Sequence, residues 1–172
     1  NGKKLTATMK VNAVKLPLKI KQKTTVLKVS GLANGDSVAS WKSGNTKVVK
    51  VSGKPNGTCT LAAGHKKGKT TITIILKSGL KKKITITVQK AAVKTSKITG
   101  MPKNLKLKKN QTVTLKAAAA PLTSLQKLKY KSSNKKIVTV TSKGVIKAKK
   151  KGKAVITVQS GSKTVKCKVT VK

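Results

Sequence analysis

The last eight residues of the chain alternate without a break. Val165, Cys167, Val169 and Val171 are apolar, while Lys166, Lys168, Thr170 and Lys172 are polar. A period of two over that length describes a half-buried β-strand. The same period runs through Ile84-Thr85-Ile86-Thr87-Val88 and through Ala154, Ile156 and Val158. β-Branched residues dominate these runs, as strands prefer. Glycines punctuate them at Gly31, Gly44, Gly53, Gly68 and Gly79, the spacing of an all-β sandwich. Ala117 to Ala120 invites a helix, but Pro121 follows at once, and the matching stretch near Lys28-Val29-Ser30-Gly31 has no helical character.

The alternating segments occur twice. Trp41-Lys42-Ser43-Gly44-Asn45-Thr46-Lys47-Val48-Val49-Lys50-Val51 matches Tyr130-Lys131-Ser132-Ser133-Asn134-Lys135-Lys136-Ile137-Val138-Thr139-Val140 at an offset of 89. Gly68 to Ile74 matches Gly152 to Val158 at an offset of 84, so the first copy holds five extra residues between these anchors. The turn-forming stretch Ser52 to Thr58, with Gly53, Pro55, Asn56 and Gly57, is the expected place for them. Ile84 to Val88 matches Cys167 to Val171. The repeat divides the chain into residues 1–90 and 91–172, joined at Gln89-Lys90-Ala91-Ala92 without Gly or Pro, which favours an end-to-end pair over a loose tether. Each copy has room for seven or eight short strands, and two sheets packed face to face satisfy the pattern.

Charge is the second constraint. All 42 basic residues are lysines, Asp36 is the only acid, and the formal net charge is +41. Self-repulsion of this size opposes compaction. The apolar period nevertheless argues for a folded chain with lysines on the outward positions, where they also discourage edge-to-edge pairing. Lysines directly opposite one another across a ladder would repel. The absence of arginine removes the planar fork used for bidentate phosphate contacts, so anion binding by such a coat should be diffuse and salt-sensitive.

The anchors of the two copies resemble a known family. Tyr130 to Val140, Gly144-Val145-Ile146-Lys147-Ala148, Gly152 to Val158 and Cys167 to Val171 resemble the bacterial immunoglobulin-like group 2 domain found in adhesins of the invasin and intimin kind. The first copy shows the pattern at Trp41 to Val51, Cys59-Thr60-Leu61-Ala62-Ala63, Gly68 to Ile74 and Ile84 to Val88. It departs at Gly44, where the family usually has Ser, and in the inserted residues. The resemblance implies two tandem immunoglobulin-like β-sandwich domains, export, and a bacterial surface, with a role as spacer or contact surface.

Catalytic chemistry finds little material. General acid–base work needs a carboxylate pair or an oriented histidine, and this chain has one acid, Asp36, and one histidine, His65, in the basic loop Gly64-His65-Lys66-Lys67-Gly68. The carboxylates calcium wants and the four ligands zinc wants cannot be assembled. An isopeptide bond would need a buried acid, and Asp36 follows Asn34-Gly35 in a turn. No cofactor or small-molecule substrate is expected, and the chain is not expected to be an enzyme. Trp41 and Tyr130, the only aromatics, take equivalent positions and are expected in the core, not on a glycan-stacking platform. Cys59 and Cys167 read as small buried apolar residues.

Three lysine runs remain as candidate contacts for a polyanion: Lys66, Lys67 and Lys69; Lys81, Lys82 and Lys83; and Lys147, Lys149, Lys150, Lys151 and Lys153. They are expected in turns between strands. Anionic cell-wall polymers or acidic host glycans are the expected partners, with non-specific nucleic-acid binding as a side effect of charge. The start Asn1-Gly2-Lys3-Lys4 lacks the apolar run of a signal peptide, and no stretch is long enough to span a membrane. Export would place leader and anchor outside this chain. The sequence therefore reads as a non-catalytic surface or adhesion module, or alternatively as accessory domains of a larger secreted glycoside or cell-wall hydrolase.

Overall fold

The computed structural model describes residues 7–172, so the basic start at residues 1–4 lies outside the described residues. The chain separates into two compact units, one ending at Val93 and one running from Lys94 to Lys172. Among the described residues there is no helix.

Among the described residues the first unit contains nine strands: β1 (Lys10–Val11), β2 (Lys15–Lys19), β3 (Lys23–Thr24), β4 (Val29–Ser30), β5 (Val38–Ser43), β6 (Val49–Gly53), β7 (Cys59–Ala63), β8 (Gly68–Leu76) and β9 (Lys81–Gln89). The second also contains nine: β10 (Lys97–Thr99), β11 (Asn104–Leu107), β12 (Thr112–Thr114), β13 (Ala118–Ala120), β14 (Lys129–Ser132), β15 (Val138–Val140), β16 (Val145–Ala148), β17 (Gly152–Ser160) and β18 (Lys163–Val171). The wiring is the same in both. A four-stranded sheet, β2-β9-β8-β5 or β11-β18-β17-β14, accompanies a three-stranded sheet, β3-β7-β6 or β12-β16-β15. A short two-stranded ladder, β1-β4 or β10-β13, completes each unit. That ladder raises the strand count above the seven or eight expected. Its second member, β13, is the Ala118–Ala120 run, which pairs with β10 instead of coiling.

The first strand of each four-stranded sheet lies parallel to the last, Leu16 beside Ile86 and Leu105 beside Val169. Pro17 is tolerated in β2 because this is an edge strand, where one side of the backbone needs no partner. The register explains both repeat offsets at once. Trp41 pairs with Ile74, and Tyr130 pairs with Val158. Positions 41 and 130 differ by 89, while 74 and 158 differ by 84.

The register also relocates part of the insertion. Val49 pairs with Ala63 where Val138 pairs with Ala148, so the β6–β7 hairpin is four residues longer than β15–β16. The fifth residue falls in the next loop, where 64–67 stands against 149–151. That loop carries His65. A turn-rich composition drew attention to the first site, whereas the second adds no turn signal of its own.

Alternate residues of the long strands build each core. In the first unit Leu16, Leu18, Leu61, Ile72, Ile74, Leu76, Ile84 and Ile86 are buried. In the second, Val138, Ile146, Ile156, Val158, Cys167, Val169 and Val171 do the same work. The bulkier Ile and Leu of the first unit stand where the second has Val and Cys, as at Ile84 against Cys167.

The Trp/Tyr-Lys-Ser-x-Asn repeat is the corner where the chain leaves one sheet for the other. The Ser43 and Ser132 hydroxyls donate to the carbonyls of Val49 and Val138, at 2.7 and 2.6 Å. The Asn45 and Asn134 side-chain oxygens accept from the N–H of Lys47 and Lys136, both at 3.0 Å. Ser and Asn are needed because each supplies a short side chain that closes a turn on its own backbone. A second repeated turn precedes β3 and β12. Gln22 and Gln111 accept from the N–H of Lys19 and Lys108 at 2.8 and 2.9 Å, and Lys21 and Asn110 take positive φ, 63° and 67°.

One core position is mismatched. Thr70 occupies an inward place in β8 that Ala154 fills in β17, and its hydroxyl is buried without a hydrogen-bond partner. An orphaned buried hydroxyl costs about 1–3 kcal/mol. Thr70→Val, which keeps the volume and deletes the hydroxyl, should therefore stabilise the first unit by about 1 kcal/mol in urea denaturation. A destabilisation of the same size would mean the hydroxyl has a partner in solution.

Candidate polyanion-contact surface

All eleven lysines of the three candidate runs are exposed, and the fold sorts them differently from the sequence. Lys66 and Lys67 lie in the β7–β8 loop with Lys69 just inside β8, and Lys149, Lys150 and Lys151 lie in the β16–β17 loop with Lys153 just inside β17. These two runs are therefore the same loop in the two units. Lys147 is different, since it lies within β16 between Thr112 and Thr139. The third run is not a turn. Lys81, Lys82 and Lys83 are the first residues of β9 and pair with Ile75, Ile74 and Thr73. Lys82 takes the inward-facing place that Val165 holds in β18. Its ammonium escapes the end of the core and donates to the Met9 carbonyl at 2.9 Å. The turn reading failed because a Lys-Lys-Lys run hides the alternation of its strand.

The cross-strand pairs reveal a rule. Among the described ladders no lysine faces another lysine. On the outer face of the four-stranded sheets, threonines separate them. Lys42, Thr73 and Lys83 form one row across β5, β8 and β9. Lys131, Thr157 and Lys166 form the equivalent row across β14, β17 and β18. Lys153, Thr170 and Lys106 form a third, beyond the intervening row of Val155, Lys168 and Asn104. The lysines are exposed and the threonines half-buried between them. Lys42, Lys106, Lys131, Lys166 and Lys168 belong to this surface although they sit in no lysine run. The alternation of Thr164, Lys166, Lys168 and Thr170 was the signal that could have found Lys166 and Lys168, whereas Lys42, Lys106 and Lys131 join them only through strand pairing.

A depression of about 650 Å³ lies over Val48, Ala62 and Ala63, rimmed by Lys47, Lys50, His65, Lys66 and Lys67. Its floor is small and apolar, and its rim is cationic. His65 is exposed there. Among the described residues no three His, Cys, Asp or Glu side chains are grouped to hold a metal.

The single acid has a structural use. Asp36 accepts from the Ser37 N–H at 2.9 Å and the Ser78 N–H at 3.2 Å on one oxygen, and from the Ser78 hydroxyl at 2.7 Å on the other. The Ser78 hydroxyl, above all, holds the carboxyl below the usual carboxylate range. Asp36 thereby ties the loop before β5 to the β8–β9 turn.

Trp41 faces inward, as its pairing with Ile74 requires, but it is half-buried. β5 is the outer strand of its sheet, so solvent reaches its inner face from the side. The indole lies flat on Gly53 and its N–H donates to the Lys54 carbonyl at 3.3 Å. Tyr130 packs in the same way over Gly144 and against the core of the second unit. Both cysteines are free and buried. Burial pushes the Cys59 thiol up to about 11 and raises Cys167 as well, so neither is a ready thiolate at neutral pH.

Residues 94–171 match the family described as bacterial Ig-like domain (group 2). The second unit is a bacterial Ig-like domain of group 2. The first unit repeats its strand order and register, so both units have the Ig-like wiring. The kappa-carrageenase of Pseudoalteromonas carrageenovora is 44% identical over 66 residues, 38% of this chain. The chain spans only 17% of that enzyme. Solved structures similar to it include domains 4 and 5 of the S-layer protein SbsC, with 18% identity, a TM-score of 0.44, and coverage of 96% of this chain and 98% of that one. Domains 5–6 of the same protein show 20% identity and a TM-score of 0.47, covering 96% and 97%. The Ig-like domain is a non-catalytic domain type.

Two outcomes follow from the contacts at Gly53 and Asp36. A Cβ at Gly53 would lie 2.1 Å from the indole of Trp41. Gly53→Ala should displace the ring, shift tryptophan emission to the red and destabilise the first unit by about 1–3 kcal/mol. Unfolding of the second unit, read from Tyr130 absorbance, should not change. For Asp36 the lowered pKa means stability that is present above the unfolded value and lost as pH falls through the folded one. Asp36→Asn should lower the melting midpoint of the first unit at pH 7, and the variant and the wild type should converge as the pH falls through the lowered pKa of the folded carboxyl. A constant difference across that range would show that the carboxylate charge is irrelevant.

Proposed function

We propose that this chain is a non-catalytic module of an exported bacterial protein, holding its parent against anionic polymers through its lysine-covered sheets. The observation that carries this reading is the ordered Lys–Thr surface, repeated in both units, with one acid in the chain. A coat needed only for solubility would tolerate acids. Ammonium groups on flexible stems favour diffuse contact, and cell-wall polymers or acidic glycans supply dense negative charge of the right kind. Nucleic acid would bind through the same charge, but Trp41 and Tyr130 are held against Gly53 and Gly144 and are poorly placed to stack on bases. The bacterial Ig-like family and the similarity to a carrageenase support a location at the cell surface or outside the cell.

A second reading has its own support. The match to a small part of kappa-carrageenase favours these units as accessory domains of a larger secreted hydrolase. The two readings differ in the parent, not in the chemistry of the surface.

The test is binding of the chain to teichoic acid, an acidic glycan and duplex DNA between about 50 and 200 mM salt. Release of 6–10 counterions over that range costs about a thousandfold or more in affinity. A steep loss with every polyanion is the expected result. Absence of binding at low salt would remove the polyanion reading altogether.

A further inference from the structure

One part of the lysine surface is shaped as well as charged. A depression of about 460 Å³ opens on the outer face of the four-stranded sheet in the second unit, between Asn104, Ser133, Lys153, Val155, Lys168 and Thr170. Val155, Lys168 and Asn104 form one row across β17, β18 and β11, and Lys153, Thr170 and Lys106 form the next. Val155 and Thr170 are the half-buried floor, while Lys153, Lys168, Asn104 and Ser133 are exposed around it.

Ser133 gives this depression a polar wall. It stands just beyond the end of the β14–β17 ladder, where its N–H donates to the Val155 carbonyl at 2.9 Å. Its hydroxyl oxygen accepts from the Val155 N–H at 2.8 Å. A hydroxyl that accepts still has a proton to give, and this one borders the depression. The first unit has Gly44 at the same position, with only the backbone bond to Thr71 retained. The wall is therefore a feature of the second unit.

The surroundings extend the site. Lys106 lies two strands from Lys153 across Thr170, and Lys131 lies two strands from Lys166 across Thr157. Two strand spacings are about 10 Å. Lysines thus recur at two-strand intervals across this face, a spacing that suits an extended anionic chain lying across the strands.

We propose that this face is a binding site for a linear polysaccharide bearing sulfate or carboxylate groups, with one anionic sugar seated between Lys153 and Lys168. The site rests on the polyanion reading above and narrows it to one face and one ligand class. Ser133 and Asn104 meet sugar hydroxyls, Val155 and Thr170 underlie the ring, and Lys106, Lys131 and Lys166 take the neighbouring anions. Nucleic acid fits this face less well. Tyr130 packs over Gly144 and the core, leaving no aromatic ring here for a base, and lysine lacks the arginine fork that reads base edges.

The test compares two double variants of the full chain that remove the same charge. Lys153→Gln/Lys168→Gln empties the depression of its cations, and Lys149→Gln/Lys150→Gln removes two loop lysines. Binding to kappa-carrageenan, polygalacturonate and duplex DNA would be titrated at about 150 mM salt, with circular dichroism confirming that each variant folds. The expected result is at least a tenfold loss of polysaccharide affinity for the first variant and less than threefold for the second. Ser133→Gly, which copies the first unit, should weaken polysaccharide binding several-fold without changing its salt slope. Loss confined to carrageenan would assign the site to sulfate, and loss confined to polygalacturonate to carboxylate. Equal losses for the two double variants would overturn the site and leave diffuse binding standing. Selective loss of DNA binding by the depression variant would overturn the polysaccharide assignment. No binding of any polymer by the wild type even at 50 mM salt would overturn both this site and the wider polyanion reading.

Discussion

Repulsion between lysines is the condition this fold must satisfy before any other contact matters. Two unit charges about 5 Å apart, the spacing of directly opposed residues, repel by about 0.8 kcal/mol even at the dielectric of water. At about 10 Å the unscreened figure falls to about 0.4 kcal/mol, and screening at physiological salt lowers the two values to about 0.4 and 0.1 kcal/mol. Placing a threonine between paired lysines makes that difference along the Lys-Thr-Lys rows of the four-stranded sheets, and Ala62 does the same between Lys50 and Lys23. Lys42-Thr73-Lys83 and Lys131-Thr157-Lys166 show the same solution in the two units. The same β-branched threonines favour the strand conformation. The charge is thus accommodated by register, and a slip of one strand by a single residue would both expose the core face and disturb this spacing.

The rest of the architecture holds that register. The Ser-x-Asn corners after β5 and β14 set where the chain crosses between sheets, through hydroxyls that reach forward to Val49 and Val138. Trp41 and Tyr130 sit immediately before those corners and lean on Gly53 and Gly144 at the outer strand of each four-stranded sheet. Asp36 ties the loop before β5 to the β8–β9 turn by accepting from Ser37 and Ser78. In a chain with one acid, that carboxylate serves the fold.

The two units share their wiring and differ in detail that bears on function. The first has the heavier Ile and Leu core, the longer β6–β7 hairpin and Gly44 at the corner. The second has the lighter core and Ser133 in that place. Polar detail therefore falls beside the lysine rows of the second unit, where Ser133 and Asn104 border the depression between Lys153 and Lys168. The charge is common to both units, whereas this shaped depression depends on residues of the second.

The sequence by itself determined the strand class, the two copies and the outward place of most lysines, because side-chain alternation and self-similarity are local properties of the chain. The family pattern from Tyr130 to Val171 was legible for the same reason. What it could not determine is which lysines stand together. Lys106, Lys131, Lys153 and Lys166 come from four different strands, and only the pairing of those strands makes them one surface. The lysine runs were the visible signal, but a run of neighbours in a strand points to alternating faces, as Lys81 to Lys83 show. The parallel docking of β2 on β9, the edge position of Trp41 and the split insertion were likewise decided by the tertiary structure. Each depends on hydrogen bonds between segments far apart in the chain, which no local pattern encodes.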